Sequence, residues 1–434
     1  LGLMQTHGRE EARKLGYDSA NYDCIVMRYS GGVTRGAGGW GGGDSVWVFD
    51  EGLAVLIHEI GHSLGLAHAN FWDTGGQSAI GTGANQEYGH QFDVMGNAYG
   101  VNEKGHYNTF AKDKLKWLTA RNIFTEPQSG LYRIHAFDQP VLDLNNRYAI
   151  KLQKDTSRNY WLDYRVNSIS SHQPWSLGIQ WGAWSGIAGN ALQIDTTPGS
   201  TDGKNDAGVV VGRTFSDYEA GLHITPVARN ATTPPSLDVM IQKGDFPTNQ
   251  APTLNLTASS LFVPTGATVT FTATASDPDS DTLAYSWVFG DGTYSVNNGA
   301  VQTKSWASAG YYQVLCTASD MKGKRTTRSV LITVGTPTTF TVSGNITDPS
   351  GQPLEGVYVA NYAPSNNPNH GSSGSFRGTW TDSAGNYTLT GISAGSYTIT
   401  PTLYPLTFAV SGFANPVTVG PNSTGKNFTS TSLP

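Results

Sequence analysis

The stretch from His58 to His68, HEIGHSLGLAH, decides how the N-terminal part of this chain is read. Set on a helix, His58 and His62 are four residues apart and leave from one face, so two imidazoles can reach a single ion. Glu59 follows His58 and stands beside that pair, able to touch a water at the ion without being a ligand. Gly65 comes three residues after His62. Glycine accepts a positive φ, which ends the helix and turns the chain. The turn swings His68 back as a third ligand. Three histidines with an open fourth position fit a catalytic zinc ion rather than a closed structural one. The competing reading is a buried helix with incidental polar residues. It would bury three imidazoles and a carboxylate unpaired, which is costly.

Working outward, LAVLIHEIGHSLG is apolar on most sides and reads as a buried helix. Before it, YDCIVMRYS and DSVWVFD read as strands, the second with Val46 and Val48 opposite Trp47 and Phe49. Between those strands lies GGVTRGAGGWGGGD, residues 31–44. After it, NTFAKDKLKWL predicts a further helix capped by Asn108 or Thr109. The opening residues, LGLMQTHGREEARKLGYD, also predict a helix, with Thr6 as its cap.

HEIGHSLGLAH resembles the zinc-binding consensus of the metzincin metallopeptidases. Those enzymes place a methionine under the metal in a tight turn downstream, and FDVMGNAYG nominates Met95 for it. YGHQFDVMGN followed by HYNTFAKDKLKWL is most similar to the gametolysin-type branch. The resemblance covers roughly residues 20–120. It implies an α+β metzincin-type catalytic domain lacking its first strand, because the chain opens at or inside the first helix. It departs from the pattern at Ala69, where many branches carry a polar residue or proline.

The expected activity is zinc-dependent endopeptidase cleavage of extracellular proteins. Zinc acidifies water and polarises the scissile carbonyl, while Glu59 takes the proton and hands it to the leaving amine. Tyr99, four residues after Met95, is a candidate oxyanion donor. His90 and His106 are either supports of the site or hydrogen-bonded loop histidines. The glycine-rich segment 31–44 reads either as a flexible linker or, as the metzincin resemblance implies, as the edge strand that pairs with extended substrate.

Residues 121–247 carry short alternating strands, from LYRIHAF to LDVMIQKG, and predict a β-sandwich. FPTNQAPT reads as a linker. Residues 251–335 resemble a polycystic-kidney-disease (PKD) type domain on WVFGDG, with Val288 in place of the usual Asp, and on YYQVLCTASD. Asp277, Asp279 and Asp281 alternate in a loop there and read either as solvated turn acids or as candidates for Ca2+. Residues 339–434 resemble the carboxypeptidase regulatory-like, transthyretin-like β-sandwich on VSGNITDPSGQPLEGVYV and TDSAGNYTLTGISAGSYTITP. The expected fold class is therefore multidomain: the catalytic domain at 1–120, then three all-β sandwiches. In secreted bacterial hydrolases such modules act as spacers or hold insoluble matrix or cell-surface polymers.

Composition limits the alternatives. The net charge of -6 and the lack of a basic cluster argue against a nucleic-acid partner. No apolar run nears the ~20 residues that cross a bilayer. Cys24 and Cys316 lie far apart and read as reduced thiols, so no disulfide framework is expected. Low charge with abundant glycine and aromatics suits a β-rich extracellular or periplasmic protein; the resemblances imply a secreted, bacterial protein whose partners are protein or peptide substrates. The rival reading is a non-catalytic binding or adhesion protein on a degenerate metzincin scaffold. Zinc-dependent hydrolysis of something other than peptides is a third.

Overall fold

The computed structural model describes residues 2–28, 39–49, 52–97, 105–167, 176–185, 189, 191–200, 202–362 and 377–434. Helix α1 spans Gly2–Lys14. Thr6 is inside it rather than at its cap, because the helical backbone already begins at residue 2. Strands β1 (Ile25–Arg28), β2 (Gly39–Gly42) and β3 (Ser45–Val48) form a small sheet in the order β1-β3-β2. β1 runs parallel to β3, and β2 runs antiparallel to it at the edge. β3 is buried along its whole length. α1 is tied to its start, with Gln5 bonded to Ser45 and Arg9 to Asp44 at 2.7 Å. Helix α2 (Leu53–Ser63) packs against β2 and β3.

Strands β4 (Asn70–Asp73) and β5 (Ala84–Gln86) and helix α3 (Thr109–Lys114) follow. Asn108 is the cap of α3, accepting from Ala111 N at 2.9 Å. Then come β6 (Ile123–Thr125), β7 (Gly130–His135), β8 (Ala149–Gln153), β9 (Asn159–Tyr164), β10 (Leu177–Gly182), β11 (Ala191–Gln193), β12 (Phe215–Asp217), β13 (Leu222–Asn230) and β14 (Ser236–Lys243). They build two sheets, ordered β5-β4-β11-β10-β9-β8-β6 and β12-β13-β14-β7. The sandwich expected over 121–247 therefore also draws in residues 70–86. β4 pairs in parallel with β11, Asn70 opposite Leu192, a long-range pairing that no local pattern announces.

β9 shows why the strands here do not alternate in burial. Tyr160, Leu162 and Tyr164 face the core between the sheets, with Trp181, Ile179 and Ile224. Trp161 faces the other way and meets Phe110 of α3 edge-to-face at 5.6 Å. A strand covered on both faces carries apolar residues on both, and a polar one only where it is hydrogen-bonded. Asp163 shares that outer face and is buried. Its carboxylate accepts from Thr109 Oγ1 and from Gln180 Nε2, each at 3.0 Å, so the sheet holds the start of α3.

Residues 253–334 form two sheets around Trp287, Phe271, Trp306 and Val314. Trp287 Nε1 donates to Gly299 O at 2.9 Å. The turn after it has Gly290 at φ +75° and Gly292 at φ +80°, a conformation that favours glycine. The remaining strands, from Phe340–Thr347 to Asn427–Ser430, enclose a separate core with Val342, Ile346, Leu389 and Phe428. Both cysteines are free. Among the described residues no helix is long and apolar enough to cross a membrane.

Candidate metal centre

α2 ends as its sequence dictates. Leu66 N donates to Gly61 O at 2.9 Å and Gly65 N to His62 O at 3.0 Å, with Gly65 at φ +86°. This is a Schellman motif, and it reverses the chain after Leu64. His68 is thereby returned to the face that carries His58 and His62. One ring nitrogen from each of the three lies within 4.8 Å of the others.

Each imidazole is fixed by its other nitrogen. His58 Nδ1 meets Val94 O at 2.8 Å and His62 Nδ1 meets Leu66 O at 2.9 Å. A carbonyl only accepts, so both Nδ1 atoms carry the proton and both Nε2 atoms keep a lone pair. His68 Nδ1 meets the Glu87 carboxylate at 2.7 Å, which leaves its Nε2 free in the same way. The Nε2 atoms of His62 and His68 are 3.1 Å apart. Two lone pairs so close repel unless a proton or a metal cation lies between them. Bonds of 2.0–2.1 Å at a tetrahedral angle put two zinc-bound nitrogens about 3.3 Å apart. The donor set thus fits zinc in type, tautomer and spacing. Burial pushes the His58 imidazole down to about 4 and lowers His62 as well, so both are neutral near pH 7.

Glu59 is one residue along the helix from His58, a rotation of about 100°. It is buried against β2, and burial pushes its carboxyl up to about 7. A β-carbon on Gly39 would lie 2.6 Å from Glu59 Cγ and 2.7 Å from Oε1. One on Gly41 would overlap the Glu59 carbonyl. Two glycines therefore let the edge strand lie on the helix at the level of Glu59. The part of the glycine-rich segment at residues 31–38 lies outside the described residues.

Met95 is fully buried beside the ligand helix. Its sulfur sits where Gly61, between the two helical histidines, lacks a β-carbon. The turn is held by Asp93, which accepts from Met95 N and Asn108 N, each at 2.7 Å. Met95 O in turn accepts from Ala69 N at 2.8 Å, tying the turn to the residue after His68. The chain of contacts from Asp163 through Thr109, Asn108 and Asp93 to Met95 fixes the turn to the large sheet. Tyr107 adds a bond to Ile57 O at 2.5 Å.

The other nominated residues separate. His90 bonds Gln180 Oε1 at 2.7 Å and is buried, and His106 packs edge-on to Phe137. Burial pushes both down to about 3, and neither joins the three histidines. Tyr99 lies outside the described residues. In the acidic loop the cluster is Asp277, Asp281 and Asp320, with carboxylate oxygens within 4.8 Å of one another. Asp279 turns instead to accept from Gln250 N at 2.7 Å, and Asp320 stands where it was expected. Oδ2 of Asp277 and Oδ2 of Asp281 are buried without hydrogen-bond partners, while Lys322 bonds Asp281 Oδ1.

At the histidine cluster two neighbours, Glu87 and Tyr88, escaped the sequence reading. Glu87 is the carboxylate on His68. The ring of Tyr88 lies over His68, 3.7 Å between centroids, and 5.8 Å from His58. The only local cue was the Glu-Tyr-Gly run before the Met95 turn, whose conformation is not written in its pattern.

Comparison with known proteins resolves the C-terminal half. The PKD domain model matches residues 253–334, and the carboxypeptidase regulatory-like domain model matches residues 341–403. The chain therefore carries one domain of each class. Among solved structures, the PKD1 domain of the Vibrio cholerae metalloprotease PrtV is 33% identical, covering 20% of this chain and 100% of that one, with a TM-score of 0.18. The PKD1 domain of Vibrio anguillarum Epp is 31% identical, covering 20% of this chain and 99% of that one, with a TM-score of 0.18. A carbohydrate-binding module of the β-sandwich superfamily is 19% identical, covering 33% of this chain and 85% of that one, with a TM-score of 0.20. No curated protein matches the chain.

Proposed function

We propose that this chain is a secreted, bacterial zinc-dependent endopeptidase of metzincin type, most like the gametolysin-type branch. One observation carries the reading: a ring nitrogen from each of three histidines converges on one point, and every Nδ1 is held by an acceptor. His58, His62 and His68 would hold the ion. Zinc in such a set supplies Lewis acidity toward water and a peptide carbonyl.

The remaining roles fall to the chain's own groups. Glu59, beside the ligand pair on the same helix, is placed to accept a proton from water and return it to the leaving amine. The outer edge of β2, which pairs with no other strand among the described residues, suits an extended peptide added as a further strand beside Glu59. Met95 and Gly61 pack the floor of the site. The PKD and regulatory-like domains are proposed to hold the enzyme on an insoluble matrix or cell-surface polymer. The orphan oxygens of Asp277 and Asp281, with Asp320, fit a calcium ion.

The test is cleavage of an unfolded fluorescent protein substrate by the full chain, with chelator and after zinc is restored. Chelator-sensitive cleavage rescued by zinc is expected. Bound zinc without cleavage would overturn the peptidase reading and favour the binding scaffold.

A further inference from the structure

The three histidines are not held alike. His58 and His62 sit on α2, and their Nδ1 atoms bond backbone carbonyls. His68 lies beyond the Gly65 turn in irregular backbone, and its Nδ1 bonds a side chain, Glu87, nineteen residues further on. The next residue, Tyr88, covers the face of the same ring at 3.7 Å and a tilt of 32°.

Two consecutive residues seldom reach the edge and the face of one ring. Here they do so because Tyr88 has φ +58°, a left-handed conformation that is unusual for an aromatic residue. That conformation is enforced by its surroundings. Tyr88 N donates to Asn70 Oδ1 at 3.2 Å. A β-carbon on Gly89 would lie 2.5 Å from Phe71 Cβ and 2.8 Å from Gln86 O, so the turn is pressed onto β4. Strain held by well-packed neighbours is characteristic of functional sites.

We propose that Glu87 and Tyr88 form a clamp that positions His68 and thereby sets zinc affinity and the geometry of the ligand set. This rests on the zinc reading above. Both are positioning residues that act through His68. Carboxylate partners of ligating histidines orient the ring and strengthen it as a donor. The Tyr88 ring restricts rotation of His68 about its side-chain bonds.

The experiment measures zinc affinity of the full chain by competition with a chelator, and the visible absorption of the cobalt-substituted protein. Glu87→Ala is expected to weaken zinc by about 10–100-fold. Glu87→Gln, which keeps an acceptor, should stand closer to wild type. Tyr88→Asn removes the ring but tolerates the left-handed backbone, and should weaken zinc and shift the cobalt bands. Tyr88→Phe keeps the ring and should match wild type. The Glu87 side chain is 67% exposed and Tyr88 is 41% exposed, so metal-free melting in chelator should stay unchanged. A wild-type chain that takes no zinc would overturn the metal reading itself. Zinc binding by wild type with unaltered affinity and spectrum in Glu87→Ala and Tyr88→Asn would overturn the clamp alone. A loss that tracks metal-free destabilisation and is not restored by Glu87→Gln or Tyr88→Phe would also overturn it.

Discussion

The sulfur of Met95 occupies the space in which Gly61 would carry a β-carbon. The same methyl group would come within 3.1 Å of Tyr107 Cε1. Alanine is the better helix former by about 1 kcal/mol, but overpacking a closed contact costs about 1–3 kcal/mol. Gly61→Ala is therefore expected to lose up to about 2 kcal/mol of stability and to bind zinc more weakly. Urea melts and chelator competition measure both. An unchanged midpoint would show that Met95 moves aside without cost.

Glu59→Gln tests the proton transfer. The amide is nearly isosteric and cannot accept the proton from water. Turnover is expected to fall by about 10²–10⁴-fold while zinc content stays stoichiometric. Metal analysis of the purified variant beside its rate on the fluorescent substrate decides it. Wild-type turnover would remove Glu59 from the mechanism.

Gly41 and Gly39 should differ in their sensitivity. At Gly41 a methyl group meets the carbonyl backbone of Glu59, which cannot rotate away. Gly41→Ala must lift β2 from α2, and a displacement near 1 Å can cost about 10²-fold in rate. At Gly39 the obstacle is the movable end of the Glu59 side chain, so Gly39→Ala should cost less. Comparing kcat for the two variants, with zinc content as control, tests the ordering.

Acid stability should depend on Lys154 and Asp217, a buried pair at 2.7 Å on the sandwich. Burial alone raises the Asp217 carboxyl, but hydrogen bonds from Lys154 and from Tyr160 at 2.6 Å outweigh it and hold it below its usual value. A carboxylate depressed in the folded state contributes stability that is present above its unfolded pKa and lost as pH falls through the folded one. That loss should set in below about pH 4. Asp217→Asn leaves the buried Lys154 ammonium with the exposed Glu219 carboxylate, 3.5 Å away, as its remaining ion-pair partner, and is expected to cost up to about 3 kcal/mol at neutral pH. It should also flatten the acid limb of stability. Urea melts from neutral pH down to about pH 3 give both numbers.

What the sequence disclosed follows from how local each feature is. His58, Glu59, His62, Gly65 and His68 lie within eleven residues, and helix geometry with one glycine turn is enough to assemble them. The PKD and regulatory-like domains were legible through turn motifs such as Gly290–Gly292. Glu87 and Tyr88 were not, because their place over His68 depends on how β5 pairs with β4. Asp320 was missed for a related reason: it reaches Asp277 and Asp281 from the far end of another strand. The alternation expected at Val46 and Val48 against Trp47 does not become alternating burial, since β3 is covered on both sides.

Ala69 alone separates the third histidine from β4, and β4 is hydrogen-bonded to β11, more than a hundred residues away in sequence. The histidine cluster and the first sandwich are therefore one mechanical unit. A fragment cut at residue 120 would leave β4 and β5 as an orphan ribbon and unmoor the Glu87–Tyr88 turn. Anyone dissecting this chain should treat residues up to about 245 as a single indivisible cassette, because a swap or deletion of the first sandwich would reach the histidines directly.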